Sequence, residues 1–159
     1  MKVNTTRFAE IDVPEDKIIN FVEGIIGFSQ LKQFVVIKHR NSSTMYWLQS
    51  LENPEIAFLM MFPFNFIADY SPELSEKDLC TIDLSPQEIR KAETYTMTYV
   101  PKDPQDMTVN LLSPIVINPD KGLGKQVILE NSQYTVDFKV IREIQKKCKE
   151  QKSDQEQQC

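Results

Sequence analysis

Very little in this chain of 159 residues is suited to catalysis. His39 is its only histidine, and no motif surrounds it. A Ser-His-Asp or Cys-His site needs a base held by partners, so a lone histidine does not make one. It reads as structural or solvated. The cysteines are Cys80, Cys148 and Cys159, an odd number with wide spacing and no Cys-x-x-Cys. That excludes a disulfide framework and gives no metal-ligand spacing. Thiols left free suit a reducing cytoplasm. There are four glycines. Gly122-Leu-Gly-Lys125 faintly resembles a phosphate loop, but Pro119 stands where the first glycine of that pattern belongs. Gly122 and Gly124 read as a hairpin turn. The longest apolar run, Ile56 to Phe62, is far too short to span a bilayer. The first residues, Met-Lys-Val-Asn-Thr-Thr-Arg, lack the apolar run of a secretory signal. No enzyme, no cofactor and no metal are expected, and a cytoplasmic location is.

The formal charge is −5 and the sequence pI about 5.0. Nucleic-acid backbones are bound by lysines and arginines that neutralise phosphates. An acidic chain without a basic stripe is a poor candidate for direct nucleic-acid binding. It suits a basic protein surface, since opposite potentials speed encounter.

Much of the chain is patterned as short strands. Phe34 to Lys38, Met45 to Leu51 and Ile56 to Phe62 are rich in β-branched and aromatic residues, and a Glu-Asn-Pro-Glu turn separates the last two. Short loops of this kind imply antiparallel hairpins. Thr94 to Val100 alternates, with threonines on one face and Tyr95, Met97 and Tyr99 on the other. Val109 to Leu112, Ile115 to Ile117 and Val127 to Leu129 add three more strands, and Val3 to Val13 a weaker strand or pair. Frequent Pro and Asn breaks between short strands predict a mainly β fold, a small antiparallel β-barrel-like domain with one or two short helices.

Helix signals are few. Ser85-Pro86-Gln87-Glu88 combines a cap, a proline at the first helical position and a capping-box glutamate, predicting a helix to about Ala92. Ser75 to Leu79 predicts a further turn, and Ser29 to Gln33 a single one. The domain is expected over residues 1–138, with a polar tail over 139–159. Val140 to Lys147 reads as helical. Gln151 to Cys159 has no apolar residue before its terminal cysteine and is expected to be disordered.

The most charge-biased part of the body is Asp69 to Glu88. It holds Asp69, Glu73, Glu76, Asp78, Asp83 and Glu88 against Lys77 alone. It follows Phe62-Pro-Phe-Asn-Phe-Ile, where aromatics crowd a strand end. Acids beside aromatic anchors make either a candidate docking surface, with Phe64, Asp69, Tyr70, Glu73 and Glu76 as its residues, or an ordinary solvated loop with Phe64 and Phe66 in the core. Asn110 and Asn118 are polar positions inside apolar runs, so they either satisfy backbone groups or face a ligand. A small-molecule-binding β-barrel is the competing class, and it requires a large apolar pocket with converging polar groups.

Several stretches resemble the FliW family of flagellar assembly factors. They are Ile19-Asn-Phe-Val-Glu-Gly-Ile-Ile-Gly-Phe28, Leu48-Gln-Ser50, Glu55-Ile-Ala-Phe58, Pro63-Phe-Asn-Phe-Ile-Ala-Asp-Tyr70, Val100-Pro-Lys-Asp-Pro104 and Thr108 to Glu130. Their order and spacing carry the resemblance over roughly Ile11 to Tyr134. One departure is Ile26, where the family commonly has proline. The resemblance implies a non-enzymatic β-barrel-like protein, monomeric when free. It would bind flagellin in the cytoplasm and also the basic RNA-binding translational regulator CsrA. The two would exchange on it, so that export of flagellin frees it to hold CsrA away from flagellin messenger RNA. Asp69, Tyr70, Glu73 and Glu76, with Phe64 as an apolar anchor, are the residues expected to meet CsrA. The neighbourhood of Asn110, Pro114 and Asn118 is the one expected to meet flagellin.

Overall fold

The computed structural model describes residues 1–42, 44–130 and 132–145. It is mainly β. A hairpin of β1 (Lys2–Thr5) and β2 (Ala9–Asp12) lies apart from a larger sheet. That sheet contains β3 (Ile19–Phe21), β4 (Gln33–Lys38), β5 (Met45–Ser50), β6 (Ala57–Met61) and β7 (Glu93–Tyr99) as antiparallel neighbours in chain order. β7 then pairs with β9 (Ile115–Asn118), β9 with β10 (Leu123–Gln126), and β10 with β3. The ring is therefore a closed barrel of seven strands. β8 (Thr108–Val109) pairs with the far end of β7, and β11 (Phe138–Lys139) pairs with β8.

A ring of strands that alternate in direction closes only with an even number. Seven forces one parallel pair, and it falls at β3–β10, with Leu123 opposite Asn20 and Gly124 opposite Phe21. The barrel interior is filled by Phe21, Phe34, Leu48, Met60, Ile115 and Ile117, all almost fully buried. Phe21 and Phe34 meet edge to face at 5.2 Å. Gly124 gives Phe21 its room, since a Cβ there would lie 2.6 Å from the ring. Gly122 turns the chain into β10 with φ +62°, and a Cβ on it would meet the Ile18 carbonyl oxygen at 2.8 Å.

Two further apolar clusters lie outside the barrel wall. Alternation along each strand sends every second residue outward, and the connection between β6 and β7 crosses over those residues. Phe66 and Tyr70 from that connection pack with Met61, Val109, Leu111 and Val140. Leu79, Ile82 and Leu84 pack with Val116, Val127 and Leu129. The alternation expected of residues 94–100 is present: Tyr95 and Met97 pack into the barrel, while Thr96 faces out and donates from Oγ1 to the Met61 carbonyl at 3.1 Å.

The four strands expected from Phe34 to Val100 are there, as is the N-terminal pair. Other expectations need correcting. Gly122 and Gly124 do not form one turn: Gly124 is inside β10, and the turn precedes it. The strand expected at Val127 to Leu129 starts earlier. Those residues only prolong β10, through Val127 N–H to Pro114 O and Leu129 N–H to Leu112 O, both at 2.9 Å. Only Thr108–Val109 of the run to Leu112 is strand, because the Asn110 side chain takes the next amides into a turn. No helical turn forms at residues 29–33, where a turn closed by Leu31 N–H to Phe28 O leads into β4. β3 and β11 were not expected. α1 (Glu76–Thr81) and a 3-10 segment at Pro86–Lys91 follow Ser75 and Ser85, each with its capping box. Residues 140–145 are helical, and Val140 is fully buried. The disordered tail expected after Gln151, with Cys148 and Cys159, lies outside the described residues.

Gly124→Ala is expected to cost about 1–3 kcal/mol through overpacking against Phe21. Urea unfolding checks it, and an unchanged midpoint would show that Phe21 can move aside.

Candidate functional site

The β6–β7 connection begins with a 3-10 turn at Pro63–Asn65. Phe66 and Tyr70 are buried beneath it, whereas Phe64 is 44% exposed. The Tyr70 hydroxyl donates to the Leu111 carbonyl at 2.6 Å. Burial first, and then the nearby Tyr134 hydroxyl, push the Tyr70 phenol well above its ordinary value, so it stays a donor. The Phe64 ring lies 6.0 Å from Tyr70, and Tyr134 meets Tyr70 edge to face at 4.7 Å. Tyr70 therefore holds the connection down and supports Phe64. It is not itself a contact surface.

α1 is fastened by charge. Lys125 of β10 is buried, and its Nζ lies 2.7 Å from Asp78 Oδ1 and 3.6 Å from Glu23 Oε2. Asp78 is only 13% exposed and also accepts from the Ser75 amide at 3.0 Å. Burial works against its charge, yet hydrogen bonds from Lys125 and Ser75 outweigh that and hold the carboxyl below its ordinary range. A buried lysine needs such partners, since an unpaired buried charge costs several kcal/mol.

The six acids of residues 69–88 now divide into two groups. Asp78 pairs with Lys125, Asp83 with Lys121 at 3.7 Å, and Glu88 with Lys91 at 3.2 Å while capping Ser85. Asp69, Glu73 and Glu76 are exposed and have no cation partner among the described residues. Glu73 sits on the rim of a groove of about 440 Å³ that runs between residues 73–78 and residues 125–130. It also borders a smaller one of about 160 Å³ beside Tyr134. Glu76 lies on the other side of α1, at a depression of about 430 Å³ floored by Leu79 and Leu84. One short segment thus carries unneutralised carboxylates on both flanks, with Phe64 upstream of them.

Asn110 and Asn118 are turned to the protein. Asn110 Oδ1 accepts from the amides of Leu112 at 3.1 Å and Ser113 at 3.0 Å. Asn118 is buried, and its Nδ2 donates to the Ile82 carbonyl at 2.8 Å and the Asp83 carbonyl at 3.3 Å. It ties β9 to the end of α1, where Asp83 takes a φ of +56°. His39 stacks on Trp47 at 6.1 Å, with the Arg7 guanidinium 4.1 Å from the same ring, remote in sequence from the acidic segment.

Lys125 and Ile26 have roles that the local pattern does not show. For Lys125 the usable signal is a cation in a strand that faces an acidic helix. Ile26 stands where the resemblance leads one to expect proline. Its N–H donates to Gln126 Oε1 at 2.9 Å, a bond that proline cannot make.

The chain is similar in sequence and in fold to flagellar assembly factors. The family profile described as "FliW protein" matches residues 2–140. A "Flagellar assembly factor FliW" of Natranaerobius thermophilus is 43% identical over 136 residues, covering 85% of this chain and 89% of that protein. One of Geobacter sulfurreducens is 42% identical over 138 residues, covering 85% and 83%. A solved structure, "Crystal structure of the flagellar assembly factor FliW", superposes with a TM-score of 0.80 at 32% identity over 88% of this chain and 96% of that one.

The Asp78–Lys125 pair makes a pH-dependent contribution. Because the folded carboxyl sits below its unfolded value, the contribution is complete at neutral pH. It fades as the pH falls below about 4 toward the folded value. Asp78→Asn is expected to lose about 3 kcal/mol at pH 7. The gap to the parent protein should narrow by pH 3. Urea midpoints measured from pH 7 to pH 3 check this, and a gap that stays constant would remove the linkage.

Proposed function

The chain belongs to the FliW family, and on that premise we propose that this flagellar assembly factor acts by binding proteins, not by catalysis. It binds flagellin in the cytoplasm and antagonises the basic translational regulator CsrA, so that flagellin synthesis follows flagellin export. It needs no cofactor, does not contact nucleic acid directly, and is a monomer when free.

The observation that carries this reading is the fixed presentation of free acids. Asp69, Glu73 and Glu76 lie on a connection whose own apolar residues are sunk into the barrel wall. A preorganised acidic surface meets a basic partner without the cost of ordering a loop. Phe64, supported by Tyr70, is the apolar anchor beside them. Among the described residues no helix is long and apolar enough to cross a membrane. The filled interior around Phe21 and Phe34 counts against the competing small-molecule barrel, which needs an empty lumen.

The side chains of Asn110 and Asn118 bond inward, so in this reading they stabilise the fold and are not themselves contacts to flagellin.

Charge reversal at Glu73→Lys and Glu76→Lys is expected to weaken CsrA binding at least about tenfold at low salt. It should also flatten the dependence of affinity on salt. Calorimetry at two ionic strengths checks it, and unchanged affinity with an unchanged salt slope would sink the assignment. Asn110→Ala is expected to cost about 1–2 kcal/mol in urea unfolding, while the folded fraction binds flagellin with parental affinity. A direct contact would show instead as lost affinity in fully folded protein.

A further inference from the structure

β10 is paired with β9 along one edge, and its other edge, paired with β3 at Leu123 and Gly124, is open beyond them. Its ladder to β9 uses Lys125 with Val116, and is prolonged by the N–H groups of Val127 and Leu129 to Pro114 and Leu112. In an antiparallel pair, backbone groups alternate in direction. The N–H and C=O groups of Gln126, Ile128 and Glu130 therefore point away from β9. On that side β3 reaches only as far as Phe21, opposite Gly124, and then turns off with Gly24 N–H to Phe21 O. No backbone partner for Gln126, Ile128 or Glu130 exists among the described residues.

Open strand edges are usually blunted by lysine, proline, a bulge or a covering segment. Residues 126–130 contain no lysine or proline, and the 25–28 turn meets their near end through Ile26 N–H to Gln126 Oε1. Ile128 is 60% exposed, a β-branched apolar residue on a bare edge. The groove of about 440 Å³ runs alongside it, with Glu23, Glu73, Asp78 and Glu130 on its walls against Lys77 and Lys125. Lys125 is already spent on Asp78 and Glu23. Glu73 and Glu130 are exposed and unpaired among the described residues.

We propose that the edge of residues 126–130 takes up an extended segment of a partner protein as an added strand, one with lysine or arginine at alternate positions. Main-chain bonds to Gln126, Ile128 and Glu130 supply the pairing, Ile128 an apolar contact, and Glu73 and Glu130 the charge selection. The inference deepens the reading above, since Glu73 serves both, but it rests on backbone groups that charge docking does not use.

The probe is a synthetic peptide of alternating Lys and Val, about ten residues long, which spans the edge at about 3.3 Å per residue. Saturable binding below about 1 mM is expected. It should slow exchange of the Gln126 and Ile128 amides by at least tenfold. A Glu-Val peptide, and a Lys-Val peptide N-methylated at alternate residues, should bind at least tenfold more weakly. Ile128→Pro removes one outward N–H and leaves the β9 ladder intact. It should lower affinity at least tenfold, while Ile128→Ala lowers it less. If Ile128→Pro does not fold, the N-methylated peptide carries the same test on the parent protein. Failure of the Lys-Val peptide to bind, equal binding of the methylated peptide, or unchanged amide exchange overturns the proposal. So does concentration-dependent dimerisation that Ile128→Pro abolishes, which would give the edge to a second copy of the chain. CsrA binding lost in the Glu73→Lys, Glu76→Lys variant but kept in Ile128→Pro would overturn strand addition and leave charge docking standing.

Discussion

Parity governs this molecule. Seven strands cannot close with every neighbour antiparallel, so one seam must be parallel. The chain places it where β3 and β10 touch over only two residue pairs. Parallel pairs are slightly weaker per residue than antiparallel ones, and a two-pair seam has little ladder to hold it. Side chains make up the difference. Phe21 fills the interior directly against Gly124, so closure and core packing depend on one contact. Because β3 turns away immediately afterwards, the seam also leaves the continuation of β10 without a neighbour. The weakest point of the barrel and its open edge have the same cause.

The long connection from β6 to β7 depends on that wall being closed. Phe66, Tyr70, Leu79, Ile82 and Leu84 pack on outward-facing residues of β6, β8 and β9 and of the stretch that prolongs β10, namely Met61, Val109, Val116, Val127 and Leu129. Burial of these side chains, each contributing about 1.5–3 kcal/mol, fixes a segment too short in helix to be stable alone. Its acids must then face solvent or find a cation. Lys125 satisfies Asp78, Lys121 pairs with Asp83, capping and Lys91 take Glu88, and Asp69, Glu73 and Glu76 have no cation partner among the described residues. The unneutralised surface follows from how the segment is anchored.

Local pattern made part of this legible. The β-branched and aromatic residues of Phe34 to Lys38 and the alternating residue types of Thr94 to Val100 mark strands, and the Ser75 and Ser85 boxes mark helix starts by side-chain chemistry. Both signals lie within a few residues. β3 is only Ile-Asn-Phe, it meets β4 over just two residue pairs, and its other partner, β10, lies about a hundred residues away, so little nearby identifies it as a strand. Gly124 looked like turn punctuation because its reason is the Phe21 ring, a contact between distant segments. The candidate site was legible as acids beside aromatics, but not which of them face out. Tyr70 and Phe64 have similar surroundings in sequence and opposite burial in the fold. Asn118 is buried because the Ile82 carbonyl at the end of α1 needs a donor, a requirement set by tertiary structure alone.

Ile26 shows how the weak seam is held in this chain. Past Gly124 no backbone bond joins the 25–28 turn to β10, yet Ile26 N–H reaches Gln126 Oε1, and Gln126 Nε2 lies 3.4 Å from the Ser113 carbonyl. The glutamine thus bridges from the turn to the residues just before β9, adding a side-chain rung where the ladder stops. Proline at this position would stiffen the turn, an effect of roughly 0.4–1 kcal/mol through the unfolded chain. It would also remove this donor, with a net value of about 0.5–1.5 kcal/mol. The two are of similar size, so the departure from proline need not weaken the seam. It changes the means, from a turn stiff in itself to one tied to Gln126. That tie orients the side chain at the start of the open edge, and so connects the first turn after the parallel seam to the surface where a further strand would add.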